Sequence, residues 1–183
     1  MKVMLTNVRL AFFDGYTPVP FEDGAEPKYG VTSLVEKGSE NDKKIEAAIK
    51  QVATEAWGAK AEMMLKQFRG NPNKFAYIDG DTRSYDGFAG HMALSSKNGK
   101  RPTLLLKDKT PSTKEDSTLY SGCYGNVSVD IWAQKKDYPG IRATFLAAQF
   151  VQDGDAFTPG AVADPDEFED LSQQEGGEAE ALG

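Results

Sequence analysis

The stretch that most constrains this chain runs from Tyr120 to Asp153, YSGCYGNVSVDIWAQKKDYPGIRATFLAAQFVQD. Val127, Val129, Ile131 and Ala133 fall on one side of a period-two pattern, and Asn126, Ser128, Asp130 and Trp132 on the other. Side chains change face at every step along a strand, so this alternation specifies a strand with one buried face. Lys135, Lys136, Tyr138, Pro139 and Gly140 follow as a short basic turn. The return strand, Ile141 to Val151, is apolar on both faces apart from Arg142, Thr144 and Gln149, and is expected to be covered on both sides. The result is a long hairpin with an indole on its polar face. That indole fits two roles equally: packing under a helix, or offering a stacking surface to bases beside Lys135, Lys136 and Arg142.

Further strands are expected on both sides of this hairpin in the chain. Lys2 to Phe13 reads as a strand with Met4, Val8, Leu10 and Phe12 on one face, broken by Asp14-Gly15. Tyr16 to Pro27, with three prolines, reads as a loop, and Lys28 to Val35 as a second strand. Ser39 is placed to cap a helix whose first turn carries Glu40 and Asp42. Ile45, Ala48, Ile49, Val52, Ala53 and Ala56 recur at helical spacing, and the helical region runs to Phe68 with Gly58 as a weak point. Residues 69–87 read as a loop that interleaves Arg69, Lys74 and Arg83 with Phe75, Tyr77 and Tyr85. Such mixing suits single-stranded nucleic acid, because cations meet phosphates while rings meet base faces. Phe88 to Ser95 reads as a strand joined through an Asn98-Gly99 hairpin turn to Thr103–Leu106, with Lys97, Lys100 and Arg101 at the tip.

The formal charge of −7 conceals a split. Ten of the 28 acidic residues follow Gln152, and the last basic residue is Arg142. Residues 1–152 therefore carry 18 acids against all 21 bases, a net +3. A basic body with an acidic end points to nucleic acid or to an interaction tail. The body, 1–153, is expected to be one domain, and 154–183 a disordered acidic tail with too little apolar surface to offset the entropy of ordering.

Several chemistries lack their residues. There is no GxxxxGK[ST] phosphate loop and no GxSxG elbow. One cysteine, Cys123, and one histidine, His91, rule out an internal disulfide and argue against a conventional zinc site, so no cofactor is expected. No apolar run approaches the ~18 residues of a membrane span, and the N-terminus does not read as a signal peptide. A reducing cytoplasm is the expected compartment.

The stretch Ser121-Gly122-Cys123-Tyr124-Gly125-Asn126-Val127-Ser128-Val129-Asp130-Ile131-Trp132 resembles a family of tailed-phage single-stranded-DNA-binding proteins. Ala147 to Asp155, Leu5 to Leu10 and Pro27 to Val31 fit the same family, and the resemblance covers roughly residues 1–155. It implies an OB-type barrel with an extra helix, a sequence-tolerant DNA groove and an acidic C-terminal tail. The expected fold is thus a mainly β, OB-like barrel with a helical region inserted around 39–68.

The expected function is single-stranded DNA binding in phage replication or recombination, in the host cytoplasm. Trp132, Tyr124, Tyr77, Tyr85 and Tyr29 are the candidate stackers. Lys28, Lys74, Arg83, Lys100, Arg101, Lys135, Lys136 and Arg142 are the candidate phosphate contacts. The tail is expected to compete with DNA or to recruit replication or recombination proteins, and the oligomeric state stays open, a homodimer included. The rival readings are a metal-dependent nuclease built on Asp14, Asp79, Asp81, Asp86 and Asp130, and a non-enzymatic inhibitor acting through its acids.

Overall fold

A computed structural model describes residues 1–157. In chain order these form β1 (Lys2–Val19), β2 (Lys28–Glu36), α1 (Glu40–Trp57), α2 (Ala61–Phe68), β3 (Tyr77–Asp79), β4 (His91–Asn98), β5 (Thr103–Leu105), β6 (Tyr124–Gln134) and β7 (Gly140–Gln152). The alternation in β6 is realised. Val127, Val129 and Ile131 are fully shielded from water, while Trp132 faces out. Each such branched side chain contributes about 1.5–3 kcal/mol on burial. A one-residue slip would expose all three, so they hold the register of β6 on β7, which runs from Gln134↔Gly140 to Tyr124↔Gln152. The outer face of β7 is only half covered, not sealed as expected: Arg142, Thr144, Leu146, Ala147 and Gln149 stay partly exposed.

β1 serves two neighbours in turn. Its first half pairs with β6, from Lys2↔Asp130 to Arg9↔Tyr124, and its second half with β2, from Arg9↔Leu34 to Val19↔Lys28. Two residues with left-handed backbone, Asn7 (φ 52°) and Phe12 (φ 48°), accommodate this change. The register shift between Leu5 and Val8 reverses the alternation, so Val3, Leu5, Val8 and Leu10 all point inward while Met4 points out. The second shift, between Ala11 and Asp14, turns Phe12 out, so the expectation that Met4 and Phe12 share a face with Val8 and Leu10 is corrected by two irregularities, the first being the bulge at Thr6 and Asn7. Its backbone groups find side-chain partners. Asn41 both accepts from Thr6 N (3.0 Å) and donates to Thr6 O (2.8 Å), and Asn126 accepts from Asn7 N (2.9 Å). Asp14-Gly15 is likewise an irregularity within β1 and not its end, which shortens the expected loop to residues 20–27.

β1, β2, β4, β7 and β6 close into a five-stranded OB-type barrel, with β3 and β5 as additional strands. Closure joins β4 to β7 in parallel at Lys97↔Thr144. On one side of that point the chain from Lys74 to Asp79 fills the gap. Ile141 N donates to Lys74 O (2.9 Å), Ala76 N to Ile141 O (3.0 Å) and Ser95 N to Ala76 O (2.9 Å). On the other side β5 lies parallel to β7, Thr103↔Ala147 to Leu105↔Gln149. The expected Asn98-Gly99 hairpin therefore does not form. Asn98 instead donates from Nδ2 to Phe145 O (2.9 Å), and β5 takes the free edge of β7. Residues 77–79, expected in a loop, are β3, paired with β4.

The apolar stripe of α1 buries Ile45, Ala48, Ile49, Val52 and Ala53 against the barrel, and the Ser39 hydroxyl accepts from Asp42 N as a cap. Gly58, with φ 55°, does break the helix before α2. The Tyr77 ring is 1% exposed, and its hydroxyl donates to Asp42 Oδ1 at 2.6 Å, tying β3 to the first turn of α1. At the chain end, within a segment expected to be free, Gly154 and Phe157 are partly buried. Phe157 N donates to Ser121 O (2.9 Å), and the Phe157 ring joins the cluster of Ala11, Leu34, Phe88 and Ala93. The rest of the expected tail lies outside the described residues.

Two outcomes follow from this packing. Gly122 has φ 112°, and an added Cβ would overlap the carbonyl of Asp155. Gly122→Ala should lower stability by more than about 1 kcal/mol, read as a urea midpoint. Burial first, and then the bond to Asp42, push the pKa of the Tyr77 hydroxyl far above its ordinary value. The unfolded chain therefore loses this proton first, and stability should fall as pH rises above about 10. Tyr77→Phe should cost about 1.5–3 kcal/mol near neutral pH and flatten that alkaline decline.

Candidate nucleic-acid interface

A groove of about 770 Å³ follows the seam where β4 meets β7. Its floor is made of Phe75, Ala76 and Ile78 from the inserted strip, Ser95 and Lys97 from β4, and Ala143 and Thr144 from β7. The residues that complete the barrel wall thus also form the bed of the groove. Rings and cations line its sides.

At one end stands Trp132, 39% exposed. It lies directly across from Arg142 in the β6–β7 register, and its Nε1 donates to Thr144 Oγ1 at 3.1 Å. That bond fixes the indole plane while leaving a large part of the ring open. Arg142 in turn reaches the turn through Gln134 Oε1 (3.4 Å) and Tyr138 O (3.2 Å), and partial burial lowers its affinity for its proton.

The other end holds an aromatic cluster. The Phe12 ring meets Tyr85 at 5.1 Å and Phe88 at 6.1 Å, both edge to face, and Tyr85 meets Phe88 at 5.2 Å. Phe88 is buried and anchors the set, while Phe12 and Tyr85 remain exposed. A bulky residue in the left-handed region is a genuine outlier and costs of order 1–3 kcal/mol, so the fold holds Phe12 outward against a local preference. From β1 to β6 by way of β2, β4 and β7 is four inter-strand steps, about 19 Å around the wall.

Between them, Lys97 on β4 lies across from Gly30 of β2 and Thr144 of β7, Lys28 stands on β2, and Arg83 lines the groove from the loop that carries Tyr85. Burial, and then the like charge of Lys28, lower the proton affinity of Lys97, and Asp14 acts the other way. Burial raises Asp14 above the usual carboxylate range, partly offset by Lys97. Phe21, 75% exposed, lies over Lys97 with its ring centroid 3.4 Å from Nζ.

Of the residues expected from sequence, Trp132, Tyr85, Lys28, Arg83 and Arg142 meet in this groove. Tyr77 does not, and its role as a stacker is corrected: the ring is sealed in the core. Tyr29 alternates with Lys28 along β2 and so points to the opposite face. Tyr124 sits at the far end of β6 from Trp132, about 26 Å along the strand. There it packs by the Arg9 guanidinium (5.8 Å) and Gly154. Lys74 is exposed at the rim, between Asn73 and Phe75, which line the groove. Lys100 and Arg101 follow Gly99 on the surface, and Lys135 and Lys136 occupy the exposed β6–β7 turn.

Phe12, Phe21 and Phe88 are groove residues that the sequence reading did not select, and Lys97, read there as part of a cationic hairpin tip, joins them. The one signal for Phe12 was an apolar residue at the end of a strand beside Asp14-Gly15. The carboxylates of the nuclease reading are dispersed. Lys37 engages Asp79 and Asp81 at 2.6 Å, Asp130 meets the Met1 amino group at 2.6 Å, and no three His, Cys, Asp or Glu side chains converge among the described residues.

Comparison with known proteins gives the family and the fold. The family model described as the single-stranded-DNA-binding protein of Enterobacter phage Enc34 matches residues 1–179. Protein p50 of Acyrthosiphon pisum secondary endosymbiont phage 1 is 40% identical over 178 residues, 96% of each chain. The single-stranded-DNA-binding protein of bacteriophage Enc34, solved in complex with single-stranded DNA, superposes with a TM-score of 0.72 at 24% identity, over 86% of this chain and 89% of that one. The same phage protein in a second structure gives 0.70 at 21% identity, over 92% and 90%. This family is one of binding proteins, not enzymes. With nearly its whole length matched, the chain belongs to the Enterobacter phage Enc34 single-stranded-DNA-binding protein family.

Proposed function

We propose that this chain binds single-stranded DNA along the seam groove, without strong sequence preference, in phage DNA replication or recombination within the host cytoplasm. The observation that carries this reading is the order of side chains in the groove. Trp132 stands on β6 beside Arg142, Phe12 on β1 meets Tyr85, and the strands between them carry Lys97 and Lys28. Every base has a π-face, so rings accept any sequence, while phosphates bring the affinity and its salt dependence. Lys28, Arg83 and Arg142 make no ion pair with an acidic side chain among the described residues, which leaves their charge available to phosphate. The exposed cations at the rim, Lys74, Lys100, Arg101, Lys135 and Lys136, extend the positive track beyond the groove.

The acidic end completes the reading. The last described residue, Phe157, contacts the loop that presents Tyr85, because its ring meets Gly87. All the charge beyond it is negative. Held at that point, the acids compete with DNA for the cationic groove and are freed for replication or recombination partners when DNA displaces them.

Three outcomes test this. Oligo-dT should quench Trp132 fluorescence, and log affinity should fall with log salt at a slope of at least about −2, since single strands give about −0.7 per phosphate contact. A flat salt response would remove the phosphate contacts. Trp132→Ala, at a stacking worth of ~1–3 kcal/mol, should weaken binding at least about tenfold while the protein stays folded. Deleting the residues after Gly160 should tighten binding at low salt, with the gain shrinking as salt screens the acids. Equal affinities at every salt concentration would end the competition idea.

A further inference from the structure

The Phe21 ring has no visible means of support except one. It lies in the loop between Pro20 and Pro27, is 75% exposed, and meets no other aromatic ring and no core cluster among the described residues. Its contact is with Lys97, whose Nζ stands 3.4 Å from the ring centroid. Lys97 differs from the other groove cations. Its stem is half-buried on β4 and lies over Gly30, where even an added Cβ would touch Lys97 Cγ at 3.5 Å. Among the described residues its ammonium makes no hydrogen bond and no ion pair, Asp14 acting on it only through space. A cation seated on one ring face holds the plane of that ring and leaves the opposite face open. The ring is 75% exposed and lines the groove.

We propose that Lys97 and Phe21 act as one unit, in which the ammonium orients the Phe21 ring as a base-stacking platform instead of meeting a phosphate. This rests on the reading of the groove as a single-stranded-DNA site. It divides the labour among the cations: Lys28 and Arg83, exposed and mobile in reach, follow the backbone, and Lys97 is a positioning residue. It also makes Phe21 a third stacking station, between Trp132 and the Phe12–Tyr85 pair.

A double-mutant cycle on the full-length chain tests the unit, with labelled oligo-dT titrated at several salt concentrations and urea midpoints as a check on folding. Phe21→Ala and Lys97→Met should each weaken binding about five- to tenfold, the loss of one stacked base. The double variant should be no weaker than either single one. The salt slope should stay unchanged in all three, and Lys97→Arg, which keeps a cation over the ring, should restore most of the affinity. If Lys97→Met instead reduces the salt slope by about 0.7 and its loss multiplies with that of Phe21→Ala, Lys97 is an independent phosphate contact and the proposal falls. Unchanged or tighter binding by Phe21→Ala overturns it as well. A wild-type chain that fails to bind oligo-dT at all would overturn the underlying reading of the groove, which separates that failure from the others.

Discussion

A rolled sheet becomes a barrel only where its two free edges find each other, and here that meeting governs everything else. The edges belong to β4 and β7, and they touch directly at a single register point, Lys97↔Thr144. Unpaired strand edges are costly and invite foreign strands. The chain deals with the remainder by laying residues 74–79 along one part of the gap and β5 along another. A seam filled by inserted segments is not smooth. The trough it leaves is the groove, and the groove takes its lining from the strands and strips that close the wall.

The second device is the bent path of β1. A strand that pairs with β6 and then with β2 must turn, and Asn7 and Phe12 turn it through left-handed backbone. The Asn41 and Asn126 side chains replace the lost ladder bonds at the first bend. The second bend puts a large ring on the outside of the barrel. Local strain and an exposed phenyl are both unfavourable alone. Together they place an aromatic surface opposite Trp132 on the far side of the cationic floor. The same logic runs through Trp132, whose bond to Thr144 sets its plane without covering its face.

Much of the architecture was legible in the residues. Period-two alternation at Val127, Val129 and Ile131 and helical spacing from Ile45 to Ala53 are local signals, and both elements form where they point. Trp132 could be singled out because an indole among Asn126, Ser128 and Asp130 breaks that alternation's polarity. Tyr77 could not be judged, because its loop sequence resembles that of Tyr85, and only the pairing of β3 with β4 sends one ring inward and leaves the other on the surface. Asn98-Gly99 carries a strong local turn signal, yet β5 pairs with β7. A nonlocal edge outweighed the local preference.

Local patterns in the chain were enough to set the elements and the charge plan: a long hairpin, a capped amphipathic helix, a basic body and an acidic end. Those follow from periodicity, capping chemistry and counting, all of which act over a few residues. Only the tertiary structure decided which rings and cations share a surface. Phe12, Phe21, Tyr85, Lys97 and Trp132 come from five separate segments, brought together by a register shift in β1 and by closure of β4 on β7. Those are long-range pairings, set by burial and edge satisfaction across the whole barrel, and no window of sequence contains them.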